Sequence, residues 1–129
     1  MYKLNLSERI FSMNNFTDEQ NKNNLLKTKR IISELPGYVS DYFNARRSNT
    51  TTKTALSYAY DLRKFFIWLK ANISDLSAIE LREIPLENLA MVTARDIEEY
   101  IYFLQTNSEN INHTAGIERK LSVLSAFFK

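Results

Sequence analysis

The sequence has 129 residues, 44% hydrophobic and 25% charged, with a net charge of +2; these proportions suit one globular domain with its own core and leave no room for a second full domain. Two glycines and two prolines are too few for the tight reversals of an all-β fold, while Leu, Ile, Lys, Glu and Ala supply helix formers throughout, so an all-α fold is expected. The lack of cysteine excludes disulfides, thiolate nucleophiles and Cys-type zinc sites, and agrees with a reducing compartment.

No apolar run approaches the roughly 20 residues needed to span a bilayer. The stretch Met1 to Met13 is interrupted by Asn5, Ser7, Glu8 and Arg9 and lacks the apolar segment of a signal peptide. A cytoplasmic location without a membrane partner is expected. Charge is segregated along the chain. From Tyr42 to Asn72, Arg46, Arg47, Lys53, Arg63, Lys64 and Lys70 stand against the one acid Asp61. From Ser74 to Glu109 acids dominate, and from Asn110 the balance turns basic again. Such segregation either focuses a positive field on one face or marks solvated helix faces.

Residues 1–35 read as an Asn-rich polar arm with a helix from about Asp18 to Glu34, whose incomplete apolar face (Leu25, Leu26, Ile31, Ile32) needs the domain itself or a neighbouring subunit to cover it. Pro36 and Gly37 punctuate the chain, and a short helix carrying Val39, Tyr42 and Phe43 follows before the polar turn at Ser48-Asn49. Thr51 to Ala71 has the clearest helical period. Ala55, Tyr58, Leu62, Phe65, Phe66 and Leu69 share about 100° of arc, a core-facing stripe, and Lys53, Ser57, Tyr60 and Lys64 fall in a band of roughly 60° on the opposite side.

Asp75 to Ala90 reads as a connector with Pro85 at a helix start. Thr93 and Asp96 form a near capping box for a helix reaching about Gln105 and burying Ile97, Tyr100, Ile101 and Leu104. Thr106 to Asn112 is a polar loop. The last helix runs from about Thr114 to the end, with an apolar stripe at Ile117, Leu121, Leu124 and Phe128 beside a polar one at Glu118, Ser122, Ser125 and Lys129, flanked by Arg119 and Lys120. No Gly or Asn cap follows Phe127-Phe128, so Lys129 reads as a cut within a longer protein.

Three stretches carry a family resemblance. The first is Thr54, three residues, Tyr58, two residues, Asp61-Leu62, then an aromatic run ending in Trp68-Leu69. The second is Val92-Thr93 with Asp96-Ile97, leading to Leu104, and the third is Arg119, Leu121-Ser122, Leu124 and Phe127-Phe128. In this order and spacing they cover about 75 residues and resemble the N-terminal SAM-like, core-binding domain of tyrosine recombinases of the Xer-like and phage-integrase type.

The resemblance implies a bundle of about four helices over residues 36–129, acting as one jaw of a clamp on double-stranded DNA at a recombination site. A C-terminal catalytic domain, absent from this sequence, forms the other jaw, and other recombinase subunits are partners. It also implies that the helices from Thr51 and Thr114 face DNA, the surface where periodicity already leaves Lys53, Ser57, Tyr60 and Lys64. Lys and Arg neutralise phosphates, and hydroxyls fix register on the backbone. The expected DNA-binding set is therefore Lys53, Thr54, Ser57, Tyr60, Lys64, Arg119, Lys120 and Ser122. Arg119 either recognises guanine or phosphate or pairs with an acid elsewhere in the fold. Tyr58 matches the motif but belongs to the core stripe, and Ser125 stands where several family members carry Arg.

The family's catalytic pattern of two arginines, a Lys, His-x-x-Arg and a late Tyr is not found. His113 is followed three residues later by Gly116, and none of the seven tyrosines has a recognisable cationic set to activate it. Glu98 and Glu99 diverge by about 100° on a helix and cannot flank one substrate bond. No cofactor, no metal and no catalytic activity of its own are expected. A helical protein-interaction module without DNA binding is the competing reading.

Overall fold

In a computed structural model, residues 6–106 and 114–128 are described, with side chains from residue 17 onward and, in the last helix, from residue 118, Ala126 apart. The described residues form α-helices joined by short turns and contain no strand. The helices are α1 (Leu6–Ser33), α2 (Gly37–Ala45), α3 (Thr52–Asn72), α4 (Leu86–Ala90), α5 (Ala94–Thr106) and α6 (Thr114–Phe127). The all-α expectation is met.

The helix in the N-terminal stretch starts at Leu6, twelve residues before the expected Asp18. The cause is energetic. Residues 6–17 contain neither Gly nor Pro, and Asn costs a helix interior only about 0.7 kcal/mol relative to Ala, too little to break it. The far end of α1 and the turn after it belong to the core, with Ile31 and Leu35 each 3% exposed, whereas Leu25 and Leu26 remain exposed. Covering by the domain itself thus accounts for only part of the apolar face.

Pro36, in extended backbone, precedes α2, and its carbonyl accepts from the Val39 amide at 2.9 Å. The side chain of Thr51 caps α3 by accepting from the Thr54 amide at 3.2 Å. Helix α3 is the central element and buries Ala59, Leu62, Phe65, Phe66, Trp68 and Leu69, each large apolar side chain contributing about 1.5–3 kcal/mol. Around it lie Ile31 of α1 and Leu35 of the turn after it, Val39 of α2, Tyr100 and Leu104 of α5, and Val123 and Leu124 of α6. Ala55, expected in the stripe, and Tyr58 are half-buried.

The stretch between α3 and α5 is a connector, as expected: two 3-10 turns, Ser74–Leu76 and Leu81–Glu83, and then α4 behind Pro85. It is pinned from inside by Leu76, Ile84 and Leu89, and from outside by Lys70, whose Nζ donates to the carbonyls of Ser77 at 2.9 Å and Ile79 at 2.7 Å. The capping box at α5 is reciprocal: the Thr93 amide donates to Asp96 Oδ2 at 2.9 Å, and the Asp96 amide donates to Thr93 Oγ1 at 3.2 Å. The expected loop, from 107 onward, lies outside the described residues with His113, Lys129 and the side chain of Ile117.

In α6 the packed face is turned relative to the expected stripe. Val123 and Leu124 are buried, Phe127 packs on the core, Leu121 is half-buried and Phe128 is 41% exposed. The reason lies on other helices. The Phe127 ring meets those of Tyr42 at 5.2 Å, Phe66 at 6.1 Å and Tyr38 at 6.3 Å between centroids, a cluster worth more than its buried area alone.

Candidate nucleic-acid interface

The helical period that buries Leu62 and Phe66 turns Lys53, Tyr60 and Lys64 out to solvent and leaves Ser57 half-buried. Lys53 and Lys64 make no ion pair among the described residues and lie about 16 Å apart along the axis at 1.5 Å per residue. At the start of α3, Thr54 is tied into the cap. Its amide is taken by Thr51, and its hydroxyl oxygen accepts from the Thr51 hydroxyl at 2.8 Å, so that amide is not free for a phosphate. Thr52 beside it donates to Asn21 Oδ1 at 2.7 Å and accepts from Asn24 Nδ2 at 3.4 Å. Polar side chains of α1 therefore fix the end of α3.

Where α3 meets α6, the structure brings together residues that the helical wheel of either helix leaves apart. Asp61 is 5% exposed. Its Oδ1 accepts from Arg119 Nη2 at 3.3 Å and has Lys120 Nζ at 3.9 Å. The Arg119 side chain is 52% exposed and that of Lys120 only 13%. Burial pushes the Asp61 carboxyl above the usual carboxylate range, and Arg119, Lys120 and Lys64 pull it partly back. The Lys120 ammonium is lowered by burial, against the attraction of Asp61. Asp61 Oδ2 and the Tyr100 hydroxyl are buried with no hydrogen-bond partner among the described residues.

Of the two readings open for Arg119, the ion pair is present, and it still leaves half the guanidinium side chain in solvent. Lys120 is mostly covered, while Ser122 is exposed, as is Ser125. Lys64 and Lys120 share the wall of an open groove of about 650 Å³ with Tyr60, Ile67, Trp68 and Phe103. Arg63 also lines it; its guanidinium lies over the Tyr60 ring at 5.3 Å and bonds Glu34 at 3.2 Å. Other cations of the same segment are committed elsewhere, Arg46 over the Tyr42 ring at 4.5 Å and Lys70 on the connector.

Asp61 is the residue whose weight the sequence pattern understates. Its signal is present, as the one acid in a basic segment, adjacent to the buried Leu62 and therefore about 100° from the core centre. Its partners, however, lie 58 and 59 positions away.

No family model and no solved structure matches the chain. Curated proteins do. The tyrosine recombinase XerS of Streptococcus mutans is 32% identical over 115 residues, covering 81% of this chain and 32% of the relative. XerS of Streptococcus pyogenes serotype M28 is 30% identical and XerS of Streptococcus sanguinis 29%, with the same coverage. Over that stretch the chain is related to the tyrosine recombinase family. It spans about a third of the length of the recombinases it matches. No described helix is long and apolar enough to cross a membrane, and the described residues hold no group of His, Asp or Glu suited to a metal ion.

Proposed function

We propose that this chain is the core-binding domain of a site-specific tyrosine recombinase, in which residues 36–129 clasp double-stranded DNA while a catalytic domain outside this sequence cleaves and rejoins the strands. The observation that carries the reading is the surface of α3 and α6. Lys53 and Lys64, free of ion pairs among the described residues, stand on the outer side of α3, and Lys64 adjoins the Arg119, Asp61 and Lys120 cluster that α6 completes, in a chain related to recombinases over four fifths of its length. Tyr60, Ser57 and Ser122 add hydroxyls for the DNA backbone, and Thr54 orders the helix end between them. The part of residues 1–35 that the core leaves uncovered, with Leu25 and Leu26 exposed, acts as an arm toward DNA or a neighbouring recombinase subunit, and the protein works in the cytoplasm without a cofactor.

The test is DNA affinity as a function of salt. This chain binds a short mixed-sequence duplex at low salt, and log K falls linearly with log salt. The double variant Lys53→Glu/Lys64→Glu melts like the parent, because exposed charges contribute little to stability. Its binding weakens strongly, with a slope shallower by about one unit for each phosphate no longer neutralised. A double variant that melts and binds like the parent would leave the basic stripe a solvated face and favour a protein-interaction module.

A further inference from the structure

A carboxylate beside a surface that binds a polyanion is electrostatically adverse, and burying it adds a desolvation cost. Asp61 carries both penalties. It sits 5% exposed at the junction of α3 and α6, with Oδ1 receiving Arg119 at 3.3 Å and Lys120 at 3.9 Å. Arg119 has five N–H donors in a rigid fork, and Nη2 alone is engaged among the described residues. With its side chain 52% exposed, the guanidinium is tethered at one corner while half of the side chain remains in solvent. A free arginine side chain would lose rotamer entropy on reaching a phosphate or a base edge, and a guanidinium already clamped by a buried carboxylate has lost it before binding.

We infer that Asp61 is a positioning residue: by holding one corner of the Arg119 guanidinium, it presents the remaining donors to DNA, and so strengthens binding in spite of its own negative charge. This rests on the DNA-binding reading above.

The sign of one substitution separates positioning from simple electrostatics. Asp61→Asn removes a negative charge next to the interface, so charge alone predicts tighter binding and an equal or steeper salt slope. Positioning predicts the reverse. Affinity of this chain for a labelled mixed-sequence duplex, measured by anisotropy at low salt, falls roughly tenfold, and the slope becomes shallower by about one unit. Arg119→Ala alone gives a similar loss, and adding it to Asp61→Asn costs less than about twofold more, because Asn keeps an oxygen acceptor but loses the charge that holds the guanidinium, so both changes act on the same contact.

Asp61→Asn binding as tightly as the parent or tighter, or losses that multiply in the double variant, overturns the inference while leaving DNA binding intact. A parent chain without salt-dependent binding overturns the DNA reading itself, and this inference with it. If thermal melting shows that Asp61→Asn does not fold, Arg119→Lys reads the same geometry, since it keeps the charge and removes the fork. A loss comparable to that of Arg119→Ala supports positioning, and full retention of binding refutes it.

Discussion

The Tyr38 hydroxyl donates to the Ile84 carbonyl at 3.0 Å, joining α2 to the connector ahead of α4 across 46 positions of sequence. Ile84 is 1% exposed, so its carbonyl has little access to water as a substitute. Tyr38→Phe is expected to cost about 1–2 kcal/mol, the usual penalty for orphaning a buried acceptor, read as a lower melting temperature. The same bond has a pH signature. Burial, with a contribution from Glu87, raises the Tyr38 hydroxyl from its usual 10 to about 12, so the folded chain holds this proton more tightly than the unfolded chain. Its stabilising effect is complete below about pH 10 and is lost as pH rises toward 12. Melting temperature plotted against pH should fall through that window, and fall less in Tyr38→Phe. Some decline persists, because burial also raises Tyr42 and Tyr100.

Leu62 is fully buried at the centre of α3, whereas Leu121 of α6 is half-buried against the same core. Leu62→Ala should cost about 2–5 kcal/mol. Leu121→Ala should cost about 1–2 kcal/mol, since fewer of its methylene groups leave water on folding. Chemical denaturation of the two variants side by side checks the ranking, and equal losses would contradict the observed rotation of α6.

Lys70 holds the turn after α3 through two carbonyls, those of Ser77 and Ile79. Lys70→Met keeps most of the side-chain stem and removes both bonds. A loss of about 1–3 kcal/mol is expected, since hydrogen bonds to charged groups lie at the upper end of the range. The effect is local: amide hydrogen exchange of residues 74–79 should accelerate more than that of the α3 core.

The sequence announces most of α3. Its apolar residues repeat with a helical period, its cap Thr51 precedes it, and the lysines on the far side can only face outward once Leu62 and Phe66 face inward. The connector and the Thr93 capping box are equally local and equally legible. Helix α6 is different. Two apolar stripes overlap in it, one through Leu121 and Phe128 and one through Val123 and Phe127, and nothing within the helix decides between them. The choice is made by Tyr38, Tyr42 and Phe66, which receive Phe127, and by Asp61, which receives Arg119 and Lys120. Lys53 and Lys64 can be placed from their own helix, but the role of Asp61 cannot, because its meaning lies with side chains on α6. The pattern also understates helix α1, because its asparagines resemble a loop where no true breaker occurs.

Trp68 is the single tryptophan of the chain. It is 5% exposed, its ring lies 5.3 Å from that of Tyr100 and 6.5 Å from that of Phe65, and it also lines the groove beside Lys64 and Lys120. The molecule therefore carries an intrinsic optical reporter at the seam between its core and its basic surface. Unfolding moves the indole from an apolar enclosure into water and shifts its emission to the red. A ligand that enters the groove without unfolding the chain alters the intensity while the wavelength stays near that of the folded state, so loss of structure and occupation of the surface can be told apart in one cuvette without a label.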